Sequence, residues 1–479
     1  MNTPKKELCL YYPWLCYNTV HFLDKGGQQP NDPVFQVIGH RPLYRVLEDL
    51  HEKYGNVVRI GSSTVSFIHP QAVPAILGFK SPCSKGPDYD YLYPLYSLHT
   101  TRSKHAHDQH RRLWSPGFTE TAVRKYDQRI RPYRQQLINN IAAEVGKPVD
   151  LADYFLWYSY DVMSDLAFGE SYHNLEKRVH HPFVAVAKEG AIFITHRFPV
   201  WFIRLMTPMT FLNKTFRDFR KHALQDMKRR IESDPDVPDI TAYFLEPLQG
   251  RSPTAEEFNR LHGDAELLIV AGSDTTGVTL CCAIYEIARR PHEARKLRDE
   301  LGHCPREPDG GYSQNTLANL HYLNGFINEV LRMHSPVPTN FPRKTPTEGV
   351  EIDSIHIPGD MLVICPSWQL GRSEMIFQKP QEFIPERWYL YPDMVKDKSA
   401  YIPFLTGPYS CIGKALALVT LRKIISQLIM TFDIVLAPGD DGLSLERNLT
   451  EHFSIHLDSL HVVFQERQLW RSDEVLKDL

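Results

Sequence analysis

One stretch of this 479-residue chain constrains its fold more than any other. It is an uninterrupted helical pattern that starts near residue 252 and runs to Arg290, where Pro291 ends it. Two N-terminal caps suit it: Ser252 followed by Pro253, or Thr254 with Glu257 three residues on. A helix of about 36 residues rises roughly 54 Å at 1.5 Å per residue. An element of that length crosses a whole globular body, so the rest of the chain is expected to pack around it.

The flanking patterns are mainly helical. Residues 104–145 predict helical stretches broken at Pro116-Gly117 and Pro132, and 313–334 predict a helix that stops before Pro336. A further helix is expected over 413–430, after Gly413. Residues 56–69 read as two short strands around the Gly61-Ser62-Ser63 turn, and 442–464 as short strands. Residues 232–240 form an acidic, proline-bearing connection, and 335–388 are rich in proline and β-branched residues. The fold expected is mainly α with small β-sheets. The 35 prolines outnumber the 26 glycines, which suits helices joined by extended connections.

Apolar residues make up 42% and charged residues 23%, close to a soluble globular average. The net charge is 54 − 57 = −3. That excludes a fully disordered chain and a general electrostatic nucleic-acid binder. The eight cysteines include no C-x-x-C pair, so neither a zinc ribbon nor a thioredoxin-type site is supported, and a reducing compartment is expected. Leu8 to Leu23 is apolar and aromatic but is interrupted by Pro13, Asn18, Thr19 and His21. It falls short of the roughly 20 residues that cross a bilayer, leaving an interfacial segment or a packed arm as alternatives.

The strongest chemical signal is Phe404-Leu-Thr-Gly407-Pro-Tyr409-Ser-Cys411-Ile-Gly413. Gly407-Pro408 demands a turn, and Gly413 opens an apolar helix. Cys411 therefore precedes a helix N-terminus, where backbone N–H groups favour a thiolate and lower its pKa. Such a thiolate is a soft ligand suited to iron. The bland alternative is an inert buried cysteine.

With three further motifs, this segment resembles the cytochrome P-450 superfamily, the haem-thiolate monooxygenases. Glu329-Val-Leu-Arg332 matches the family's E-x-x-R motif, and Phe383-Ile-Pro385-Glu386-Arg387-Trp388 its P-E-R segment. Ala271-Gly272-Ser273-Asp274-Thr275-Thr276 matches the oxygen-binding motif of its long central helix. The resemblance covers about residues 35–465, and the wording of the cysteine loop is similar to fungal members acting on secondary metabolites. It implies one large haem domain over 31–466, with an N-terminal arm at 1–30 that could touch a membrane and a charged tail at 467–479.

The resemblance also implies roles for particular residues. Cys411 would be the axial ligand of haem b, in a loop shaped by Phe404, Gly407 and Gly413, with Ala271 on the facing helix. Many members carry Arg two residues before the cysteine; here that residue is Tyr409, a neutral donor. His107, Arg111 and Arg343 align with positions that contact haem propionates. Glu329, Arg332 and Arg387 would form a buried structural network. Asp274 and Thr275 would relay protons to dioxygen. Gly272, Gly277 and the two threonines are expected to weaken the helix locally and widen it there.

A thiolate-ligated haem favours O–O cleavage. The implied reaction is oxidation of a lipophilic small molecule, with electrons from a separate NADPH-dependent reductase, because no dinucleotide fingerprint is evident in this chain. By resemblance its place is the cytoplasmic face of the endoplasmic reticulum. The alternative is a haem enzyme that does not hydroxylate (an isomerase or dehydratase) or a haem-binding sensor. Asp274-Thr275 favours oxygen activation. The substrate pocket would involve residues 88–103, helices near 185–210, the central helix, Val337–Phe341 and the loop at Glu451–Ile455.

Overall fold

The computed structural model describes residues 41–93, 95–181, 214–233, 238–307 and 310–467, together with the paired strands Thr19–Val20 and Val34–Phe35. The rest of the 1–30 arm, the apolar 192–206 segment, the centre of the 232–240 connection and the tail beyond Arg467 lie outside the described residues.

Five helices carry the site: α1 (Lys104–Trp114), α2 (Leu151–Phe168), α3 (Ala255–Arg289), α4 (His321–Met333) and α5 (Lys414–Thr431). The cap of α3 is Thr254 rather than Ser252. Its hydroxyl accepts from Glu257 N at 3.3 Å, and the Glu257 carboxylate accepts from Thr254 N at 2.8 Å. These two bonds satisfy orphan donors at both ends of the first turn. By length and composition α3 could cross a membrane, yet 67% of its most apolar stretch is buried inside the protein. It is the core helix of the fold.

α2 is buried at every residue but Asp153, and it lies along α3. Small residues on α3 let the two backbones approach. A Cβ on Gly277 would stand 3.3 Å from Phe155 O, and one on Gly272 would press on the Met163 thioether. Ser273 Oγ donates to Ser159 O at 3.3 Å, and Cys281 Sγ to Leu151 O at 3.4 Å. The glycines thus serve helix packing. The expected widening is not seen, and α3 runs as unbroken α-helix from Ala255 to Arg289.

Other boundaries differ in instructive ways. The chain breaks at Ser115–Phe118 as expected, but the next helix, Glu120–Ala142, continues through Pro132. Tyr126 and Ile130 before the proline and Leu137 and Ile141 after it bury one common face, which outweighs one lost hydrogen bond. The 313–334 stretch divides into Gln314–Ala318 and α4. Asn324 Nδ2 donates back to Leu317 O at 2.9 Å and so ties the two segments across the break. In 442–464 a helical turn, Ser444–Asn448, precedes the strands.

A five-stranded sheet flanks the helices. Its strands are β1 (Val57–Arg59), β2 (Thr64–Phe67), β3 (Ser84–Lys85), β4 (Arg343–Lys344) and β5 (Leu362–Ile364), in the order β1-β2-β5-β4-β3. β2 and β5 are parallel, and the other pairs are antiparallel. A hairpin, Leu449–His452 with Ser454–Leu457, packs against α3 near its middle.

Candidate active site

The cysteine loop is held by its own backbone. Cys411 N donates to Phe404 O at 2.8 Å, closing the segment between them. Gly407 has φ +72°, and a Cβ there would meet Leu77 O at 2.0 Å, so only glycine fits. Gly413 differs: a Cβ there would come no nearer to another residue than 3.8 Å, from Cys411 Sγ. Its φ of −78° is ordinary, and it serves as the N-cap position of α5.

Cys411 is accessible, and its accessible surface opens onto a cavity of about 640 Å³ enclosed between α3, the 404–413 loop and β4. Burial pushes its thiol up from the usual range, while backbone N–H groups of Gly413 and Lys414 and the charge of Arg111 pull the other way. The expected lowering by the helix terminus is therefore present but outweighed. Among the described residues no group of three or more His, Cys, Asp or Glu is placed to hold a metal ion. Iron at Cys411 therefore needs a cofactor that brings its remaining ligands.

The residues above the loop fit such a cofactor. Arg111, on α1, donates from Nη1 to Ser410 O at 2.7 Å, directly before the cysteine. Arg343, on β4, is buried; its Nη1 donates to Tyr89 Oη and, at 3.3 Å, to Phe341 O, and its Nε has no partner. Lys85, on β3, is also buried and donates to Leu98 O at 3.1 Å and His99 O at 2.7 Å. Among the described residues none of these three cations is paired with a carboxylate. Burial, reinforced by Arg343 and Arg111, drives the Lys85 ammonium well below its ordinary range.

Three basic side chains without carboxylate partners beside one cysteine suit a ligand bearing two carboxylates on one edge, as haem b does, and the charge of such a ligand would favour the Lys85 ammonium again. Lys85 was not singled out in the sequence. A lysine in a two-residue strand carries no local signal, and only the sheet register brings it opposite Arg343.

Tyr409 lies among these groups. Lys85 Nζ is 4.8 Å and Arg343 Cζ 4.9 Å from its ring centroid, and the His107 ring stands edge-on at 4.7 Å. His107 is buried, and desolvation with the nearby Lys85 and Arg111 lowers its pKa to about 4. It is neutral at physiological pH, a hydrogen-bonding group rather than a cation.

On α3, Ala271 and Thr275 face the cavity. Thr275 Oγ1 donates to Ala271 O at 2.8 Å, the backbond one turn earlier. Asp274 is buried rather than on the outer surface. Its Oδ1 accepts from Tyr160 Oη at 2.9 Å, and its Oδ2 stands 4.0 Å from His456 Nε2 on the hairpin. Tyr160 is held far above its ordinary pKa by burial and by Asp274, so the phenol stays a donor. Neither Tyr160 nor His456 was legible in sequence, since both come from elements remote from the motif.

Glu329, Arg332 and Arg387 are brought together and fully buried. Arg332 Nη2 and Nε donate to the two Glu329 oxygens at 2.7 and 3.0 Å, and Arg387 Nε donates to Oε1 at 3.1 Å. Trp388 Nε1 and Ile384 N complete the carboxylate's shell at 2.9 and 2.8 Å. The remaining guanidinium donors reach backbone carbonyls of Gly371, Gln378, Lys379, Pro380 and Glu382. The network lies outside the cavity lining and ties α4 to the 371–388 segment.

The cavity walls match the expected pocket where it is described. Tyr91, His99, Val337, Phe341 and Phe453 line it, and the Phe341 and Phe453 ring centroids are 4.7 Å apart. The stretch near 185–210, where helices are expected, falls outside the described residues. Glu451 plays a structural part, accepting from Thr339 Oγ1 at 2.7 Å and Tyr44 N at 3.0 Å.

Comparison with known proteins gives the same picture. The family model described as Cytochrome P450 matches residues 32–459. A cytochrome P450 monooxygenase, notG', from Aspergillus versicolor is 45% identical over 427 residues, covering 89% of this chain and 78% of its own. Tryprostatin B 6-hydroxylase from Neosartorya fischeri is 46% identical over 428 residues, with coverage of 89% and 78%. The cytochrome P450 monooxygenase lcsK from Purpureocillium lilacinum is 34% identical over 433 residues, with coverage of 90% and 78%. A family match of this extent includes the cysteine loop, the central helix and the buried glutamate–arginine network, and this chain belongs to the cytochrome P450 family of haem-thiolate monooxygenases.

Proposed function

We propose that this enzyme oxidises a lipophilic, aromatic secondary metabolite at the cavity above Cys411, with Cys411 as the axial ligand of haem b. One observation carries the reading: Cys411 opens onto an aromatic cavity whose rim holds the three cations Lys85, Arg111 and Arg343, none paired with a carboxylate among the described residues. The relatives point the same way, since one is named for hydroxylating tryprostatin B. When bound, the cofactor supplies dioxygen activation, with electrons from a separate reductase.

The chain's own residues have distinct parts. Lys85, Arg111 and Arg343 would hold the haem propionates, with Tyr409 packed against Lys85 and Arg343. Phe404 and Gly407 fix the loop so that the Cys411 thiol faces the cavity, and Ala271 leaves room opposite. Thr275 presents a hydroxyl on that wall, and the neighbouring Asp274 carboxylate, held by Tyr160 with His456 nearby, would relay protons to it. Glu329, Arg332 and Arg387 keep the supporting scaffold rigid.

The test is the reduced carbon monoxide difference spectrum. Wild type should show the red-shifted Soret band of thiolate ligation, and Cys411→Ser should lose it. Survival of the band in Cys411→Ala, with its loss on substitution of another cysteine, would reject the ligand assignment. Substrate-dependent consumption of NADPH and oxygen with an added reductase tests the reaction itself.

A further inference from the structure

Glu266 is a carboxylate that the oxygen chemistry leaves unused. It lies on α3 nine residues before Thr275, roughly 13 Å along the axis, and lines the same cavity. Only 4% of it is exposed. Arg220, from the helix Lys214–Glu232, donates from Nε to Glu266 Oε1 at 3.2 Å. His262, one turn earlier on α3, has Nε2 3.4 Å from the same oxygen. That ring is neutral, lowered to about 4 by burial and by Arg220, and its Nε2 also lies 3.1 Å from Arg220 O. Tyr91 faces Glu266 from the Pro87–Leu92 turn. Oε2 receives no hydrogen bond among the described residues.

A carboxylate beside an apolar cavity is costly unless its oxygens are hydrogen-bonded. Leu267, Leu268 and Val270 of the same helix line the cavity with it, as do the Tyr91, Phe341 and Phe453 rings. If Glu266 served only to tie α3 to the 214–232 helix, it would need no access to the cavity. Burial also lifts its carboxyl to about 7, against the pull of Arg220, so the ionised, accepting form prevails above neutral pH.

We propose that Glu266 is a specificity-determining residue: it accepts a hydrogen bond from an N–H or O–H donor on an otherwise apolar aromatic substrate. This rests on the monooxygenase reading of the cavity. The anchor discriminates because a substrate lacking the donor leaves a buried acceptor unpaired. It also governs regiochemistry. With the donor fixed at Glu266, the atoms presented beside Ala271 and Thr275 are those lying a set distance from it.

The experiment measures dissociation constants at pH 8, above the Glu266 value of about 7, by ligand-induced spectral shift for two probe pairs. These are 2-phenylindole with its N-methyl derivative, and 4-hydroxybiphenyl with 4-methoxybiphenyl. Wild type should bind the donor form of at least one pair about tenfold or more tightly, the range for hydrogen bonds to charged groups. The pair that responds identifies the donor as N–H or O–H. Glu266→Leu should abolish the preference, and Glu266→Gln, which keeps an acceptor of the same shape, should retain a few-fold preference. Equal affinities within both pairs, binding of no probe, or a preference that survives in Glu266→Leu would overturn the proposal. If Glu266→Leu fails to fold, a Glu266→Gln preference as large as wild type overturns it. The carbon monoxide band is recorded first on the same samples. Its absence in wild type refutes the monooxygenase reading, whereas an intact band without discrimination refutes only the role of Glu266.

Discussion

Lys85 and Arg343 stand opposite each other as register partners on adjacent antiparallel strands, both buried, and among the described residues each donates only to uncharged oxygens. Like charges in that relation destabilise a sheet. The arrangement makes sense when carboxylates of a ligand complete it, and this gives an order of haem loss to an apo-globin acceptor. Lys85→Met and Arg343→Ala should lose haem several-fold faster than wild type, and Arg111→Ala likewise. Tyr409→Phe should lose it most slowly of the four, because it keeps the ring between the cations and removes only a neutral donor. Fastest loss from Tyr409→Phe, or unchanged loss from Lys85→Met, would place the propionates elsewhere.

The Glu329 network should govern folding rather than turnover. Both guanidinium groups that donate to the carboxylate are buried, so Glu329→Ala strands them without their counter-charge. Breaking a buried pair in this way costs about 3–5 kcal/mol. Thermal unfolding and haem content should both fall well below wild type. A haem-replete Glu329→Ala protein with a normal melting temperature would contradict the assignment.

Glu266 gives a pH dependence with a definite sign. Its carboxyl is raised from 4.5 to about 7 in the folded state, chiefly by burial, so the folded protein binds the proton more tightly than the unfolded chain. The associated stability is present below about pH 4.5 and is lost as pH rises through about 7. At 1.36 kcal/mol per pH unit the loss is about 3 kcal/mol. Glu266→Gln has no such loss and still accepts from Arg220. It should therefore melt higher than wild type at pH 8 and close to it at pH 5. A difference that does not change between these pH values would show that Glu266 ionises normally.

The sequence made some parts of this protein legible and hid others for physical reasons. The α3 boundaries follow from a local code, the Thr254–Glu257 cap and Pro291, and so do the Gly407 turn and the Glu329-x-x-Arg332 spacing. Pro132 misled because tertiary burial on both sides of it outweighs a local breaker. The glycines near Asp274 misled because their loss of helix propensity is traded for close contact with α2, at Phe155 and Met163. Lys85, Tyr160, Glu266 and His456 were invisible as site residues. Each belongs to the site only through a strand register or a helix crossing that no single stretch of sequence encodes.

The Thr275–Asp274 pair should control coupling rather than binding. Thr275 Oγ1 is fixed toward Ala271 O at 2.8 Å, so its hydroxyl is oriented on the cavity wall before any substrate arrives. Asp274 lies behind it, buried, with Tyr160 donating to one oxygen and His456 near the other. Thr275→Val keeps the β-branched shape and the helix while deleting the hydroxyl. Asp274→Asn keeps the size and an acceptor for Tyr160 but removes the ionisable group. Proton-transfer groups contribute about 10²–10⁴-fold, so product formation should fall steeply in both variants. Reductant consumption should persist, with electrons diverted to peroxide or superoxide. Ligand affinity measured by Soret shift should change little, since neither substitution alters the aromatic walls. Tyr160→Phe should lower product per NADPH by less than Asp274→Asn, because it removes one hydrogen bond to the carboxylate and leaves the carboxylate in place. The measurement is product formed, peroxide released and NADPH consumed for wild type and the three variants. Unchanged product per NADPH in both Thr275→Val and Asp274→Asn would remove the relay from α3. An effect of Tyr160→Phe equal to that of Asp274→Asn would instead show that Asp274 depends on the phenol for its position.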